Sequence, residues 1–150
     1  MGHDGLVLNV FDKNGKKLYT IHQDVERKKV SETDRQIVRK YFLNHPNPQI
    51  RAIYPANKHL LKFADYFPSI LGFQAFDQYL YVWTYEKKDG KTEFYIFDSL
   101  GKLVKKVYLP LRRINVERIY PFYICNNTFY HLVENDEDEV WELHTFPIDI

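Results

Sequence analysis

Residues 80–109, LYVWTYEKKDGKTEFYIFDSLGKLVKKVYL, decide the fold of this chain. They contain three runs of β-branched and aromatic residues, separated by turn signals at residues 88–91 and 98–101. An Asp-Gly pair between two such runs favours a tight hairpin, because glycine tolerates the positive φ that the turn needs. The stretch therefore predicts an antiparallel meander of at least three strands.

The run at residues 78–85 is apolar or aromatic on both of its faces. One face carries Tyr79, Tyr81, Trp83 and Tyr85, and the other carries Leu80, Val82 and Thr84. A strand of this kind is usually buried on both sides, so we expect its sheet to lie between two neighbouring sheets. The aromatic row is also suited to stacking on sugars or bases, but packing between sheets explains it more simply.

The remaining runs organise the chain into four segments. Residues 6–25 form a hairpin around the turn at residues 12–15, and residues 69–109 form a unit of four strands. Residues 119–148 form a last unit, with strands at 120–125, 129–134 and 140–146. We expect antiparallel packing of these units face to face, which is an all-β fold with one helical insertion.

The insertion spans residues 26–68. Ser31 or Thr33 is the expected N-cap of a helix, and Glu32 and Asp34 place negative charge in its first turn. The run Asn-His-Pro-Asn-Pro at 44–48 ends this helix, since proline lacks the backbone donor. Residues 58–66 are compatible with a second short helix or with an extended segment, and we predict an irregular segment for residues 49–68.

Two internal repeats are visible. VFDKNGK at residues 10–16 matches IFDSLGK at 96–102, and LYVWTYE at 80–86 matches FYHLVEN at 129–135. The first offset is 86 residues and the second is 49, which also places Phe97 on Phe146. A period in the forties built from short strands is typical of a β-propeller blade. The chain is therefore interpreted as a partial blade at 6–25, a complete blade at 69–109 and a final blade at 119–148.

The order of these pieces resembles the six-bladed β-propeller family of bacterial proteins, the NHL-like group of largely uncharacterised function. The matching phrases are VFDKNGKKLYTI, SETDRQIVRKYF, residues 63–110 and NNTFYHLVENDEDEVWELHTF. FPS at 67–69 and DQYL at 77–80 depart modestly from the family's usual turn phrases. The resemblance implies the C-terminal part of a propeller and no catalytic residues.

Length leaves three alternatives for the assembly. A six-bladed ring of roughly 40 to 45 residues a blade is longer than 150 residues. The chain is then a part of a longer protein, or several copies complete a ring, or the units pack in another way. An open arc exposes sheet faces and edges, which favours association.

Composition narrows the function classes. The chain is 45% hydrophobic and 27% charged, which is typical of a globular protein, and its net charge is +1. That balance argues against sequence-independent binding of nucleic acid, which needs a basic surface. No apolar run approaches the length of a membrane-spanning helix, and no signal peptide is recognisable, so no compartment is assigned.

Two groups of residues are candidates for a metal site: a pair of histidines and an acidic turn. His131 and His144 lie on neighbouring strands and face each other if the turn between them is symmetric. The acidic turn at residues 135–139 has carboxylates suited to calcium, but it lacks the glycine and the distal glutamate of an EF-hand loop. Half-exposed strand histidines and a solvated acidic turn are the simpler explanations, and we assign no metal ligand.

The other candidates also have simpler structural explanations. A basic cluster, suited to an anionic ligand or to a solvated strand face, consists of Lys102, Lys105, Lys106, Arg112, Arg113 and Arg118. Cys125 is the only cysteine and is expected to be an inert thiol, while residues 126–128 match a glycosylation acceptor. We assign no catalytic or cofactor-binding residue.

The sequence favours a non-enzymatic binding or interaction module of the β-propeller type. Its ligand, a protein or a small molecule, is unknown, and we expect the insertion at 26–68 to be the contact region, since it is the longest surface feature. The alternative is a hydrolase or lyase with a metal site in the channel of a ring completed by several copies. Such a ring would be a homo-oligomer.

Overall fold

A computed structural model describes residues 5–60, 62–135, 137 and 139–150. Within these residues the chain forms two helices and nine strands, and both helices lie between the second and third strands. In chain order they are β1 (Leu6–Phe11), β2 (Lys17–Gln23), α1 (Glu32–Leu43), α2 (Pro48–Asn57), β3 (Gly72–Phe76), β4 (Tyr79–Lys88), β5 (Lys91–Phe97), β6 (Leu103–Leu109), β7 (Phe122–Cys125), β8 (Thr128–Asn135) and β9 (Val140–Pro147).

The strands form three antiparallel sheets, which follow one another along the chain. The first sheet has the order β1-β2, the middle sheet β3-β4-β5-β6 and the third sheet β7-β8-β9. All pairings connect neighbours in sequence, so each sheet is a simple meander. The predicted all-β fold with a helical insertion is confirmed.

The repeat over 86 residues is present in the hydrogen bonds of the structure. In the turn after β1, the Gly15 N–H donates to the Asp12 carbonyl over 3.0 Å, and in the turn after β5, Gly101 donates to Asp98 over the same distance. Each aspartate side chain also accepts from the two equivalent backbone N–H groups that follow it. The register shifts at equivalent places, between Val10 and Phe11 and between residues 96 and 97. The pair β1-β2 therefore repeats β5-β6.

The repeat over 49 residues is present in the strand register. Leu80 pairs with Phe97, and the equivalent Phe129 pairs with Phe146. The equivalence continues through β3 and β7, and the turn residues Asp77 and Asn126 both have a positive φ. The sheet β7-β8-β9 therefore repeats β3-β4-β5.

The middle sheet lies between the other two, as the apolar pattern of β4 predicts. One of its faces packs against the third sheet in a core of Phe76, Tyr81, Trp83, Phe94, Ile96, Leu109, Leu111, Ile124, Phe129 and Ile148. Its other face packs against the first sheet in a second core of Leu6, Ile21, Val25, Val82, Tyr95 and Phe97. Burial of alternate residues in two separate cores fixes the register, because a slip by one residue would exchange the faces.

Helix α1 begins and ends where the sequence predicts. Ser31 is the N-cap, its hydroxyl accepts from the Asp34 N–H over 3.1 Å, and the Asp34 carboxylate accepts from the Ser31 N–H over 2.9 Å. This reciprocal pair is a capping box, which satisfies two backbone donors at the helix start. The helix ends at Leu43, ahead of the two prolines.

The prediction that residues 49–68 are irregular is wrong for their first half, because Pro48–Asn57 forms α2. The Asn47 side chain caps this helix by accepting from the Gln49 N–H over 2.9 Å. Pro48 occupies the first helical turn, where a backbone N–H has no intrahelical partner, so proline carries no cost there. Of the two prolines that follow α1, Pro48 is therefore the first residue of α2.

The insertion is closed at its base and lies on the surface. The Val30 N–H donates to the Asp65 carbonyl over 2.8 Å, and the Phe67 N–H donates to the Lys28 carbonyl over 2.9 Å. Neither helix has a buried residue, and Tyr41 of α1 donates to the Glu117 carboxylate over 2.9 Å. In the described part of the chain, no helix has the length and apolar character that crossing a membrane requires.

Candidate functional site

An open cleft of about 640 Å³ lies between the first residues of the insertion and the middle sheet. Its wall is the extended segment 26–29 together with Tyr66, which are joined by the bridge between Lys29 and Tyr66. Its floor is formed by Glu93 and Tyr95 of β5 with Lys106 and Tyr108 of β6.

Glu93 is the buried charge on this floor, with only 3% of its surface exposed. It lies on an inner strand of the sheet, on the face that turns towards the first sheet. The register between β4 and β5 is irregular here, since one residue of β5 lies opposite three of β4, from Thr84 to Glu86. Bulges are common beside functional sites, where they redirect a side chain.

Three side chains satisfy the Glu93 carboxylate. Thr84 of β4 donates its hydroxyl to Oε2 over 2.9 Å, and Tyr108 of β6 donates to Oε1 over 3.3 Å. The Lys106 ammonium forms an ion pair with Oε1. A buried carboxylate is costly unless it is paired and hydrogen-bonded, and this cluster meets both conditions.

Lys106 is held by more than its carboxylate partner. Its ammonium nitrogen lies 5.4 Å from the centre of the Tyr95 ring and 5.8 Å from that of Tyr108, which are cation–π distances. The hydrogen bond to Glu93 raises the pKa of Lys106 above its ordinary value, although partial burial opposes this. Burial raises the pKa of the Tyr95 phenol above its ordinary value, so this phenol is neutral at neutral pH.

The wall of the cleft is basic. The Arg27 guanidinium lies 5.4 Å above the Tyr66 ring, and its Nε donates to the Phe67 carbonyl over 3.2 Å. Lys28 donates to the Tyr85 carbonyl over 3.4 Å, and Lys29 is exposed. Two exposed carboxylates, on Glu26 and Glu86, complete the lining.

The predicted basic cluster is divided among several places in the structure. Lys106 lies in the cleft, whereas Lys105 points to the other face of the sheet and pairs with Asp149 over 3.0 Å. The Arg113 guanidinium donates to the Val116 carbonyl, and Arg112 lies over the Tyr120 ring at 5.5 Å. Lys102 and Arg118 are exposed.

His131 and His144 are a direct cross-strand pair, as the sequence predicts. His131 is buried, and the Arg112 N–H donates to its Nε2 over 3.0 Å, so that nitrogen carries no proton. Its Nδ1 lies 3.1 Å from the Pro121 carbonyl and donates to it. Burial lowers the pKa of His131, and the imidazole is neutral. Both ring nitrogens serve the backbone, so this histidine is a structural residue.

The acidic turn that is a candidate for a carboxylate site lies partly outside the described residues, which do not include Asp136 and Asp138. The side chain of Asn135 accepts from the Glu137 N–H over 3.0 Å and closes the turn. Among the described residues, no group of three or more His, Cys, Asp or Glu side chains has the geometry of a metal site.

The remaining candidates have structural roles. Tyr81 and Trp83 of the aromatic row are buried in the core against the third sheet, and Tyr85 stacks on Phe67 at 4.4 Å. Cys125 is a partly buried free thiol at the end of β7. Asn126 and Asn127, the start of the acceptor pattern, form the turn to β8 with a positive φ at both residues.

The buried position of Glu93 could have been recognised in the sequence, although neither the strand periodicity nor the repeats indicate it. Within the run TEFYIF at residues 92–97, Glu93 is the only charged residue among five residues that suit a buried strand. A single carboxylate in a run that is buried on both faces indicates a partner or a function.

A comparison with protein-family models, with curated proteins and with solved structures finds no match for this chain.

Proposed function

We propose that this chain is a non-enzymatic binding module of the β-propeller type, and that its ligand occupies the cleft over Glu93. Three antiparallel sheets of one repeat pattern, stacked in chain order, support the propeller interpretation. The walls of the cleft belong to the insertion, which is the contact region that the sequence favours. A cleft that joins a sheet to an inserted segment is a common place for a binding site.

Charge in the cleft favours a ligand with a carboxylate group, and this is the observation on which the proposal depends. Glu93 is already neutralised by Lys106 and is buried beneath it. The lining then retains three cationic side chains, Arg27, Lys28 and Lys29, against two exposed carboxylates. The hydroxyl of Tyr66 adds a neutral donor.

The alternative function, a hydrolase or lyase with a metal in a central channel, has less support. Its best donor pair on the chain includes His131, whose two ring nitrogens are both hydrogen-bonded to the backbone groups of Arg112 and Pro121. The carboxylate of Glu93 is likewise engaged by three partners. Neither residue is available for a ligand without breaking these bonds.

A titration with succinate tests the proposed carboxylate site. We expect backbone amide shifts at residues 26–29 and 106–108, measured by ¹H–¹⁵N NMR at constant ionic strength. Lys29→Ala should weaken binding about threefold, since one exposed cation contributes up to about 1 kcal/mol. Lys13→Ala, an exposed lysine in the turn after β1, is the matched control and should leave the affinity unchanged.

Two results would contradict the carboxylate site. One is a succinate titration that shifts no amide in the cleft, and the other is an equal loss of affinity in Lys29→Ala and Lys13→Ala.

Light scattering tests the propeller interpretation separately. If copies complete a ring, the chain forms a discrete oligomer, and charge on an uncovered outer face, as in Leu143→Lys, dissociates it. A stable monomer whose mass is independent of concentration would argue against ring completion by copies and leave the cleft proposal untouched.

A further inference from the structure

The chain has a second concave surface, an apolar groove of about 470 Å³ beside the first sheet. Its lining is mainly apolar, whereas the lining of the cleft over Glu93 is polar and charged. One side of the groove is the free edge of β1 from Leu8 to Phe11, and its floor is formed by Phe73 and Ala75 of β3. Leu80 of β4, which pairs with Ala75, also lines the groove. The exposed backbone of an edge strand beside an apolar floor is a surface suited to the addition of another strand.

The repeat over 86 residues identifies what kind of structure fits this groove. Strand β1 is the equivalent of β5, with the same bulge and the same turn hydrogen bonds. In the middle sheet β5 has β6 on one side and β4 on the other, whereas among the described residues β1 has only β2 as a neighbour. The groove therefore occupies the place that β4 occupies in the middle sheet. Its natural occupant is a strand that alternates as β4 does.

The floor of the groove is uncovered in the described part of the chain. Phe73 is 58% exposed, and Ala75 is also exposed. On the opposite face of the same strand, Phe76 is buried against Phe122 and Tyr123 of the third sheet. The exposed face of β3 therefore offers an apolar surface that an added strand would cover.

A second copy of this chain fits the groove poorly. Pairing β1 with the β1 of another copy about a two-fold axis would place both middle sheets on the same side of the joined sheet. Each copy's first sheet already rests on its own middle sheet through Leu6, Ile21 and Val25. The middle sheet of the second copy would then occupy the volume of β3 and β4. A single extended segment carries no middle sheet of its own, so it can pair with β1 without this collision.

We propose that the groove binds an extended segment of another polypeptide, which adds to the free edge of β1 as a strand and covers Phe73 and Ala75 with alternate apolar side chains. The main chain of the segment pairs with β1, which gives affinity, and its alternate side chains select the sequence. This interaction is independent of the carboxylate site, because the groove and the cleft share no lining residue.

The probe is a fluorescein-labelled peptide of the β4 sequence, YLYVWTYEKK, from residues 79–88. Titration with the 150-residue chain, followed by fluorescence anisotropy, should show saturable binding at a ratio of one to one. A V82P peptide should not bind, since proline removes a backbone donor from the added strand. Amides of β1 should exchange with solvent more slowly when the wild-type peptide is bound.

Phe73→Lys is the decisive variant and should weaken peptide binding at least tenfold. Because Phe73 is largely exposed, the variant should keep its fold, and Ala75→Lys provides a second variant at the same floor. Leu143→Lys is the matched control, since Leu143 is an exposed strand residue on the opposite end of the stack. It should change the affinity less than twofold.

Four results would overturn the proposal. The peptide fails to bind, or Leu143→Lys weakens binding as much as Phe73→Lys, or protection appears at the amides of β9 instead of β1. A dimer in light scattering that Phe73→Lys converts to a monomer would also overturn it, because the groove would then hold a second copy. None of these results bears on the succinate titration.

Discussion

Phe94 of the middle sheet and Leu143 of the third sheet are separated by 49 residues and occupy equivalent positions in the repeat. Phe94 points from the middle sheet towards the third sheet, and Leu143 points in the same direction, away from the middle sheet. Phe94 is fully buried, whereas Leu143 is 63% exposed. The two residues have the same register neighbours, since Phe94 pairs with Trp83 and Leu143 with the equivalent Leu132. The difference shows that register is a property of each sheet, whereas burial depends on whether another sheet follows in the stack.

Glu93 and its equivalent, Glu142, differ in the same way. Glu93 is enclosed by Thr84, Lys106 and Tyr108, whereas Glu142 accepts from the Asn135 side chain over 3.0 Å and lies 2.7 Å from the His144 imidazole. Hydrogen bonds to His144 and Asn135 lower the pKa of Glu142, which is a surface carboxylate. Strand β6 supplies two of the partners of Glu93, and among the described residues the third sheet has no strand equivalent to it.

The largest effect is expected from truncating the buried member of the first pair. Phe94→Ala should lower the free energy of unfolding by about 3 to 5 kcal/mol, because it leaves a cavity between two sheets. Leu143→Ala should change it by less than about 0.5 kcal/mol. Urea unfolding monitored by circular dichroism measures both, and equal losses would show that the third sheet is covered in solution.

The second comparison concerns the carboxylates. Glu93→Gln should lower the free energy of unfolding by about 2 kcal/mol, since it removes a buried charge-assisted hydrogen-bond cluster. Glu142→Gln should have a much smaller effect, because that carboxylate is solvated. If the two variants were equally stable in urea, the cluster beneath the cleft would contribute nothing to folding.

The third comparison separates the turns after β1 and β5. Gly15 and Gly101 have φ values of 81° and 78°, but a Cβ at Gly101 would lie 2.8 Å from both Ile21 and Tyr19, and at Gly15 it would meet nothing within 4 Å. Gly15→Ala should cost about 1 kcal/mol for the left-handed conformation alone. Gly101→Ala should cost about 1 kcal/mol more, measured by thermal unfolding, because its Cβ also displaces the first sheet. Similar losses would mean that the two turns are equally free of that sheet.

The smallest effect is a dependence on pH. Since burial lowers the pKa of His131, the unfolded chain binds more protons than the folded chain once the pH falls below the unfolded value of about 6.5. The stability that His131 contributes is present above that pH and declines below it, by at most about 1.4 kcal/mol per pH unit. Urea midpoints at pH 7.5 and 5.5 measure the decline.

The variant His131→Gln should reduce this decline, and His22→Gln, which alters an exposed histidine on β2, is the control. A decline of unchanged size in His131→Gln would assign the pH dependence to other groups.

The sequence predicts the elements whose causes are local. The turns at Asp12 and Asp98, the Ser31 cap and the cross-strand pairing of His131 with His144 depend on side chains within a few residues or on a repeat that is visible in the letters. Helix α2 is missed because a proline is equally compatible with two positions, just after the end of one helix and at the first residue of the next. Only the capping bond of Asn47 distinguishes them.

The sites are missed for a different reason. The partners of Glu93 come from β4 and β6, and the wall of its cleft comes from the two ends of the insertion, 27 to 67 residues earlier in the chain. The groove beside β1 is defined by a neighbour that the described chain does not provide, and no local pattern indicates a missing neighbour. The periodicity of a strand predicts which side chains share a face of the sheet, but not which faces pack against another sheet.

The closed base of the insertion has a consequence for protein engineering. The connection between β2 and β3 is the long one, while the equivalent connection between β6 and β7 is short, yet both lead into sheets of the same register. The backbone hydrogen bonds of Val30 with Asp65 and of Lys28 with Phe67 hold the two ends of residues 31–64 together. That segment can therefore be replaced without changing how it is attached to the sheets. Exchanging it for an unrelated peptide of similar end-to-end distance would turn the stacked sheets into a display scaffold.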